Sequence, residues 1–326
     1  MCSFCDQFKI TGRKTQPGKE DIDKAIENSY KNKSSTTKIS KNSEKIFKEL
    51  AFFGGSFTAI KRDYAESLLS HAYGYIKSGK IDGIRISTRP DCINEEILNF
   101  LKSYGVTSIE LGAQSMVDRV LLCNNRGHTS EDVRHSSRLI KAYGLELGLQ
   151  MMTGLYGSEV KDDLFTANEF INLTPDTVRI YPTLIMWGTR LHELYNSGEY
   201  APANLDETVQ LCSELLRLFN AAEINVIRLG LHSSSGISQN LVAGPWHPAF
   251  RELCESKLIV DRCIKSIKEL GYEKKCIKIA VSPRTVSKII GQKKSGIEKI
   301  KKLCQKVIIE QDNKIKDLNF VIKELI

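Results

Sequence analysis

The sequence predicts an α/β protein, a partial (β/α)6 TIM-like barrel followed by a small basic α+β region at the C-terminal end. From residue 50 onward, short apolar runs alternate with amphipathic helical stretches, which predicts repeated βαβ units with right-handed crossovers and a parallel sheet. Glycine-containing or polar motifs follow several of the predicted strands. Functional residues of β/α barrels lie at such strand ends, so this second observation favours a barrel over a doubly wound sheet.

The elements follow one another at a regular spacing. The predicted strands are "LAFFGGSF", "GIRISTR", "SIELGAQ", "LELGLQMMTGL", "DTVRIYPTL" and "NVIRLGL". The predicted helices are "AESLLSHAYGYIKSG", "NEEILNFLKSYG", "EDVRHSSRLIKAYG", "DDLFTANEFINL" and "LDETVQLCSELLRLFNAAEI". The stretch "SSSGISQNLVAGPWHPAFRELCES" is punctuated by Gly and Pro and is predicted to be a loop.

Composition and charge divide the chain into two predicted domains, a barrel core at 1–255 and a basic region at 256–326. Within the first, the polar segment 28–45 lacks apolar periodicity and is predicted to be a flexible linker. The net charge is +8, and from Gly271 onward the chain carries 14 Lys or Arg against 6 Asp or Glu. The net charge leaves room for a polyanionic partner, and the asymmetry places the excess at one end of the chain.

Cysteine usage and hydropathy predict a cytoplasmic protein with no membrane partner. Nine scattered cysteines do not form a disulfide framework, and no apolar run approaches the length of a transmembrane helix. Cys2 and Cys5 alone have the Cys-x-x-Cys spacing of metal ligands. His128 and His192 lack the partners of a H-E-x-x-H zinc site.

Four strand-end motifs behind this cysteine pair carry a family resemblance. They are "FFGGSFT", "RISTRPD", "ELGAQSM" and "LQMMTGL". Together with "RIYPTLIMWGTRLHELYNSGEY", they resemble the radical S-adenosylmethionine (SAM) superfamily over residues 2–255. The resemblance is closest to the radical SAM domain of the Elongator catalytic subunit and related bacterial proteins. It is more distant to oxygen-independent coproporphyrinogen III oxidase.

The resemblance implies a barrel of radical SAM type, with a [4Fe-4S] cluster and SAM as cofactors. Cys2 and Cys5 match the second and third cysteines of the Cys-x-x-x-Cys-x-x-Cys cluster motif. The first cysteine and the first strand would then precede Met1, and the alternative is a degenerate member without a competent cluster. An electron donor of flavodoxin or ferredoxin type is implied as a partner.

The resemblance also assigns residues to the pocket of SAM or substrate, without identifying a catalytic residue. The cofactor-binding candidates are Gly54, Gly55, Ser56, Thr58, Ser87, Arg89, Glu110, Gln114, Arg126 and Gln150. Glu110 is expected either to pair with Arg126, to bind a ribose hydroxyl or to form a structural ion pair. Position 150 is a Gln in this sequence, whereas related radical SAM enzymes often carry Asp or His at the corresponding position. Tyr181, Arg228 and His247 are further candidates.

The C-terminal segment "KIAVSPRTVSKIIGQKKSGIEKIKKLCQKVIIEQDN" is predicted to form strand, helix, turn, helix and strand. Its centre is similar to the KH module, whose Gly-x-x-Gly loop binds four nucleotides of backbone. Gly291 matches the first glycine, whereas Lys294 occupies the position of the second. The RNA-binding candidates are Lys288, Gly291, Lys293, Lys294 and Lys299. The alternative is an ordinary basic helical hairpin packed on the barrel.

Three functions remain open from the sequence. The first is a radical SAM enzyme that modifies RNA, specifically a base in tRNA. The second is a radical SAM enzyme acting on a small molecule such as a tetrapyrrole. The third is a non-catalytic RNA-binding protein built on a decayed barrel. The Elongator catalytic subunit carries an acetyltransferase domain after its radical SAM domain. That activity is not carried over to this chain, because too little sequence follows the predicted barrel.

Overall fold

The computed structural model describes residues 2–5, 15–31, 47–231 and 235–325. The helices are α1 Lys19–Lys31, α2 Arg62–Lys77, α3 Glu95–Ser103, α4 Asp118–Cys123, α5 Ser130–Ala142, α6 Val160–Leu173, α7 Arg190–Asn196, α8 Leu205–Ala221, α9 Ser235–Asn240, α10 Phe250–Glu269, α11 Val286–Ile290 and α12 Ser295–Lys301. The strands are β1 Glu49–Phe52, β2 Gly83–Thr88, β3 Val106–Gln114, β4 Glu146–Thr153, β5 Thr177–Pro182, β6 Ile185–Met186, β7 Asn225–Leu229, β8 Leu241–Ala243, β9 Cys276–Val281, β10 Lys306–Gln311 and β11 Phe320–Glu324.

A six-stranded parallel sheet of order β1-β2-β3-β4-β5-β7 curls into a half barrel, which confirms the predicted fold class. Side chains alternate along each strand. On β2, Ile84 and Ile86 are fully buried in the hydrophobic core, whereas Arg85 and Ser87 are half-buried and make polar contacts with side chains of β1 and β4. The concave interior of the half barrel is therefore polar, while its other face packs against apolar residues of the helices.

Two predictions differ from the structure. The stretch after β7 is not a continuous loop, because Ser235–Asn240 is helical and Leu241–Ala243 pairs antiparallel with β6. The predicted linker begins too early, since helix α1 continues to Lys31. The remainder of that linker, 32–45, lies outside the described residues.

A second hydrophobic core lies in the C-terminal region. Helix α10 contributes to both cores, with Leu258 in the first and Ile259 in the second. The transition from the first hydrophobic core to the second therefore lies inside one helix, close to the predicted domain boundary at 255. The division into two domains stays a prediction. Among the described residues, the structure contains no helix with the length and apolar character needed to cross a membrane.

Candidate active site

The segment Cys2–Cys5 is held in place by backbone and side-chain contacts with the barrel. Ser3 donates its N–H to the Asn124 carbonyl at 3.1 Å and its Oγ–H to Asn124 Oδ1 at 2.7 Å. Its own carbonyl accepts from the N–H of Leu191 at 2.8 Å. Phe4 is buried in a small apolar cluster with Leu191. These contacts fix Cys2 and Cys5 beside the strand ends, although neither is fully buried.

Arg126 connects the cysteine segment with the end of β3. Its Nη1 lies 2.9 Å from Cys2 Sγ, and its Nη2 donates to the Gly112 carbonyl at 2.5 Å. A Cβ on Gly112 would come within 3.2 Å of Gln114 Nε2, so glycine makes room for both polar side chains.

Two buried polar atoms at this place have no hydrogen-bond partner among the described residues, namely Gln114 Oε1 and Arg126 Nε. Buried polar groups in folded proteins are almost always paired, so a ligand that donates to Gln114 Oε1 and accepts from Arg126 Nε would fit here. Gln114 itself has φ 67°, a conformation that is strained for a residue with a side chain. This pocket therefore fits a polar ligand bearing both a donor and an acceptor.

The turn after β1 contains Gly54 and Gly55, with φ values of 101° and 78°. A Cβ on Gly55 would meet nothing within 4 Å, so the backbone conformation, rather than crowding by protein atoms, requires this glycine. Ser56 and Thr58 attach the turn to β2, since their hydroxyls lie 2.7 Å and 2.5 Å from Thr88 Oγ1. Both hydroxyls are thus already engaged in holding the turn.

Arg89 follows β2 and is half exposed at the same end of the sheet. It forms a two-hydrogen-bond ion pair with Asp91, with Nε 2.9 Å from Oδ1. This pair raises the pKa of Arg89 and lowers the pKa of Asp91. Arg89 therefore stays charged, and its backbone N–H donates to Ser56 Oγ at 3.1 Å.

Glu110, predicted to pair with Arg126 as one option, pairs instead with Arg179 inside the half barrel. Arg179 donates from Nε at 2.6 Å and from Nη2 at 3.0 Å to the two oxygens of Glu110. Gln150 Nε2 donates to the same carboxylate at 2.9 Å and lies 3.3 Å from Ser87 Oγ. Ser87, Glu110 and Gln150 thus belong to one hydrogen-bond network. Glu110 is paired with Arg179 in this network and not with Arg126.

Arg179 belongs to this network but is not among the candidates predicted from the sequence, although it lies within the motif "RIYPTLIMWGTRLHELYNSGEY". The signal was present in "TVRIYP", where Arg179 and Tyr181 alternate with the buried apolar residues Val178 and Ile180. Burial raises the pKa of Tyr181, which keeps its hydroxyl protonated.

The further candidates His247 and Arg228, like His128, contact other parts of the chain. His247 Nδ1 accepts the N–H of Ala249 at 3.1 Å in the loop before α10. Arg228 lines a separate groove of about 610 Å³ together with Lys288. His128 is buried with Nε2 3.0 Å from the Ala113 carbonyl, and burial lowers its pKa to about 4.

The described residues do not by themselves form a complete metal site. They contain no group of three or more His, Cys, Asp or Glu side chains that could hold a metal ion. Cys2 and Cys5 therefore fit two positions of a three-thiolate site. The orphaned atoms of Gln114 and Arg126 beside Cys2 fit the polar groups of a cofactor.

Comparison with known proteins places these observations in a family. The sequence model of the radical SAM superfamily matches residues 1–167, and that of the Radical_SAM C-terminal domain matches residues 175–259. The tRNA uridine(34) acetyltransferase of Methanocaldococcus infernus is 29% identical over 199 residues, which are 54% of this chain and 36% of that protein. Human Elongator complex protein 3 is 31% identical over 190 residues, 52% of this chain and 35% of that protein.

Among solved structures, the archaeal Methanocaldococcus infernus Elp3 with an N-terminal deletion (1–46) superposes with a TM-score of 0.55 at 26% identity. The alignment covers 68% of this chain and 54% of that one. The chain spans about a third of the length of the curated relatives it matches. Neither family model extends past residue 259, so the C-terminal region lies outside both matches.

Proposed function

The chain belongs to the radical SAM superfamily, a family of enzymes, and we propose that it cleaves SAM to modify a base in tRNA. The family implies SAM and a [4Fe-4S] cluster, which we assign to the pocket beside Cys2 and Cys5. A cluster there would supply the electron that splits SAM into methionine and a 5′-deoxyadenosyl radical. That electron would come from a reduced flavodoxin or ferredoxin in the cytoplasm.

The observation that supports the proposal is two buried polar atoms without a hydrogen-bond partner among the described residues, Gln114 Oε1 and Arg126 Nε, the second on a side chain whose Nη1 lies 2.9 Å from Cys2 Sγ. Gln114 Oε1 can accept from an ammonium group, and Arg126 Nε can donate to a carboxylate. The methionine part of SAM carries both groups, so the pocket fits its charged end. Gly55 leaves open space at the turn, which allows a ligand to approach the backbone.

The remaining candidates divide by their contacts. Ser56 and Thr58 hold the glycine turn on β2, so we assign them a positioning role rather than direct contact. Ser87, Glu110 and Gln150 form the polar floor of the half barrel. The buried negative charge of Glu110 is paired with Arg179. tRNA is proposed as the substrate because the relatives include a tRNA uridine(34) acetyltransferase.

The test is release of 5′-deoxyadenosine from SAM by protein purified anaerobically from its native source, reconstituted with iron and sulfide and reduced with dithionite. Cys2→Ala should abolish release and lower bound iron, whereas Cys123→Ala, at an exposed free thiol, should change neither. Gln114→Met should weaken SAM binding about tenfold through loss of one hydrogen bond.

The substrate is tested in the same assay. Unmodified tRNA should accelerate the release, and the product base should carry the modification by mass spectrometry. Acceleration by coproporphyrinogen instead of tRNA would replace the substrate assignment with a tetrapyrrole. Release that is absent, or unchanged in Cys2→Ala, would refute the catalytic proposal.

A further inference from the structure

The side chain of Phe53 lies at the carboxyl end of β1, on the concave side of the half barrel. Along an extended strand, successive side chains point to opposite faces. Phe52 packs against the hydrophobic core, with its ring centroid 5.0 Å from that of Phe57. Glu49, on the other face of β1, bonds to Arg85 in the polar interior. Phe53 continues the face of Glu49 and therefore projects toward the interior, where it is 50% exposed.

One face of the Phe53 ring is covered by a fixed cation. The guanidinium of Arg179 lies over the ring, with its Cζ 4.7 Å from the ring centroid. Arg179 is itself held in place, because it donates to both oxygens of Glu110 and its side chain is only 16% exposed. A cation over the face of an aromatic ring is attracted to it electrostatically. The ring is therefore fixed in orientation while half of it remains exposed.

The surroundings of Phe53 combine open space with polar groups. The ring immediately precedes the glycine turn, where a Cβ on Gly55 would meet nothing within 4 Å. Arg179 connects the ring to the polar floor, since Gln150 and Arg179 donate to the same carboxylate of Glu110. Ligand sites in proteins typically offer an apolar or aromatic surface together with a few polar groups that orient the ligand. This place therefore fits a flat molecule with polar edges.

We propose that the Phe53 ring stacks on a nucleobase of the RNA substrate, which rests on the proposed function for the choice of RNA. The base would lie on the ring face that Arg179 does not cover. Every nucleobase has a flat π-face, so stacking on an aromatic side chain supplies affinity without reading the sequence. Such a base must be unstacked from its neighbours, as the single-stranded loops of RNA allow.

Binding of a seven-nucleotide RNA with the fluorescent base analogue pyrrolocytosine at its centre tests the site in the full chain. Stacking of the analogue on Phe53 should quench its fluorescence when the RNA is saturated with protein. Phe53→Leu keeps an apolar side chain but removes the π-face, so the quenching should disappear and the affinity should fall about fivefold or more. Phe53→Tyr restores an aromatic ring and should restore both the quenching and the affinity.

Two features separate stacking from other effects of these substitutions. Neither variant changes the charge of the protein, so the slope of log K against log salt should remain that of the wild type. The matched control is Phe165→Leu, which removes a ring of similar exposure, 47%, from the surface of α6. The control should change neither the quenching nor the affinity.

Quenching that persists in Phe53→Leu, an equal loss in the control, or absence of quenched binding by the wild type would overturn the proposal. Phe53-dependent binding of coproporphyrin without binding of RNA would also overturn it, because a tetrapyrrole would then be the stacked ring. The assay contains no SAM, iron or reductant, so its result is independent of catalysis. Release of 5′-deoxyadenosine without quenching would refute only the stacking, and quenching without release would refute only the proposed catalysis.

Discussion

Replacing Glu110 tests whether the polar floor of the half barrel is held by one buried ion pair. The side chain of Glu110 is 1% exposed and that of its partner Arg179 is 16% exposed, so solvent screens the pair little. Arg85 also approaches Glu110, at 3.6 Å, but it keeps Glu49 at 2.7 Å and Glu146 at 2.8 Å. Loss of Glu110 therefore leaves Arg179 as the unpaired charge.

We expect Glu110→Ala to lower the free energy of unfolding by about 3–5 kcal/mol, the usual cost of leaving a buried charge without its partner. The double variant Glu110→Ala/Arg179→Met should recover a large part of that loss, because the charge is removed with its partner. The measurement is urea unfolding of the full chain followed by circular dichroism.

The control is Glu214→Ala, which breaks an exposed pair with Arg217 and should cost about 0.5 kcal/mol or less. A loss below about 1 kcal/mol for Glu110→Ala, or no recovery in the double variant, would refute the argument that this pair is structural. It would favour a ligand-binding role for Glu110 instead.

Two further predictions concern a buried carboxyl and the packing of helices. Burial raises the pKa of Asp163 to about 6, above its ordinary 3.8, so the folded state holds the proton more tightly. Its contribution to stability should fall by about 3 kcal/mol as pH rises from 4 to 6, then stay level. Urea unfolding at several pH values should show this fall in the wild type relative to Asp163→Asn, and parallel profiles would contradict it. Gly296→Ala should destabilise the C-terminal unit by about 1–3 kcal/mol, since its Cβ would lie 2.6 Å from the Ile289 carbonyl. Gly74→Ala, with nothing within 4 Å on an exposed helix face, should stabilise by up to about 1 kcal/mol; thermal unfolding that ranks the two equally would contradict the packing argument.

Much of the fold was predictable because its signals are local. In β2 to β5 and in the amphipathic helices between them, the spacing of apolar residues along the sequence indicates which face of the element is buried. The helix and strand after β7 were missed, since Ser235–Asn240 and Leu241–Ala243 are too short for a period to be visible.

The sequence indicates candidate residues for the site, but it does not indicate how they pair. Glycine turns and strand-end polar residues indicate a pocket from sequence alone, together with the two cysteines. Glu110 lies 69 residues from Arg179, however, and no local pattern could select Arg179 over Arg126 as its partner. Lys288 likewise looks free in the sequence but is neutralised by Glu255 on a different helix.

The sequence by itself determined the order of strands and helices, the excess of positive charge near the C-terminal end and the cysteine pair with ligand spacing. Only the tertiary structure decided which of these groups are available. It brings Cys2 Sγ to 2.9 Å from a side-chain nitrogen of Arg126, 124 residues away in the sequence. It also pairs the charge of Lys288 with Glu255, whereas Lys294 remains exposed. The reason is physical: periodicity records which face of an element is buried, whereas pairing depends on distances that exist only after the chain has folded.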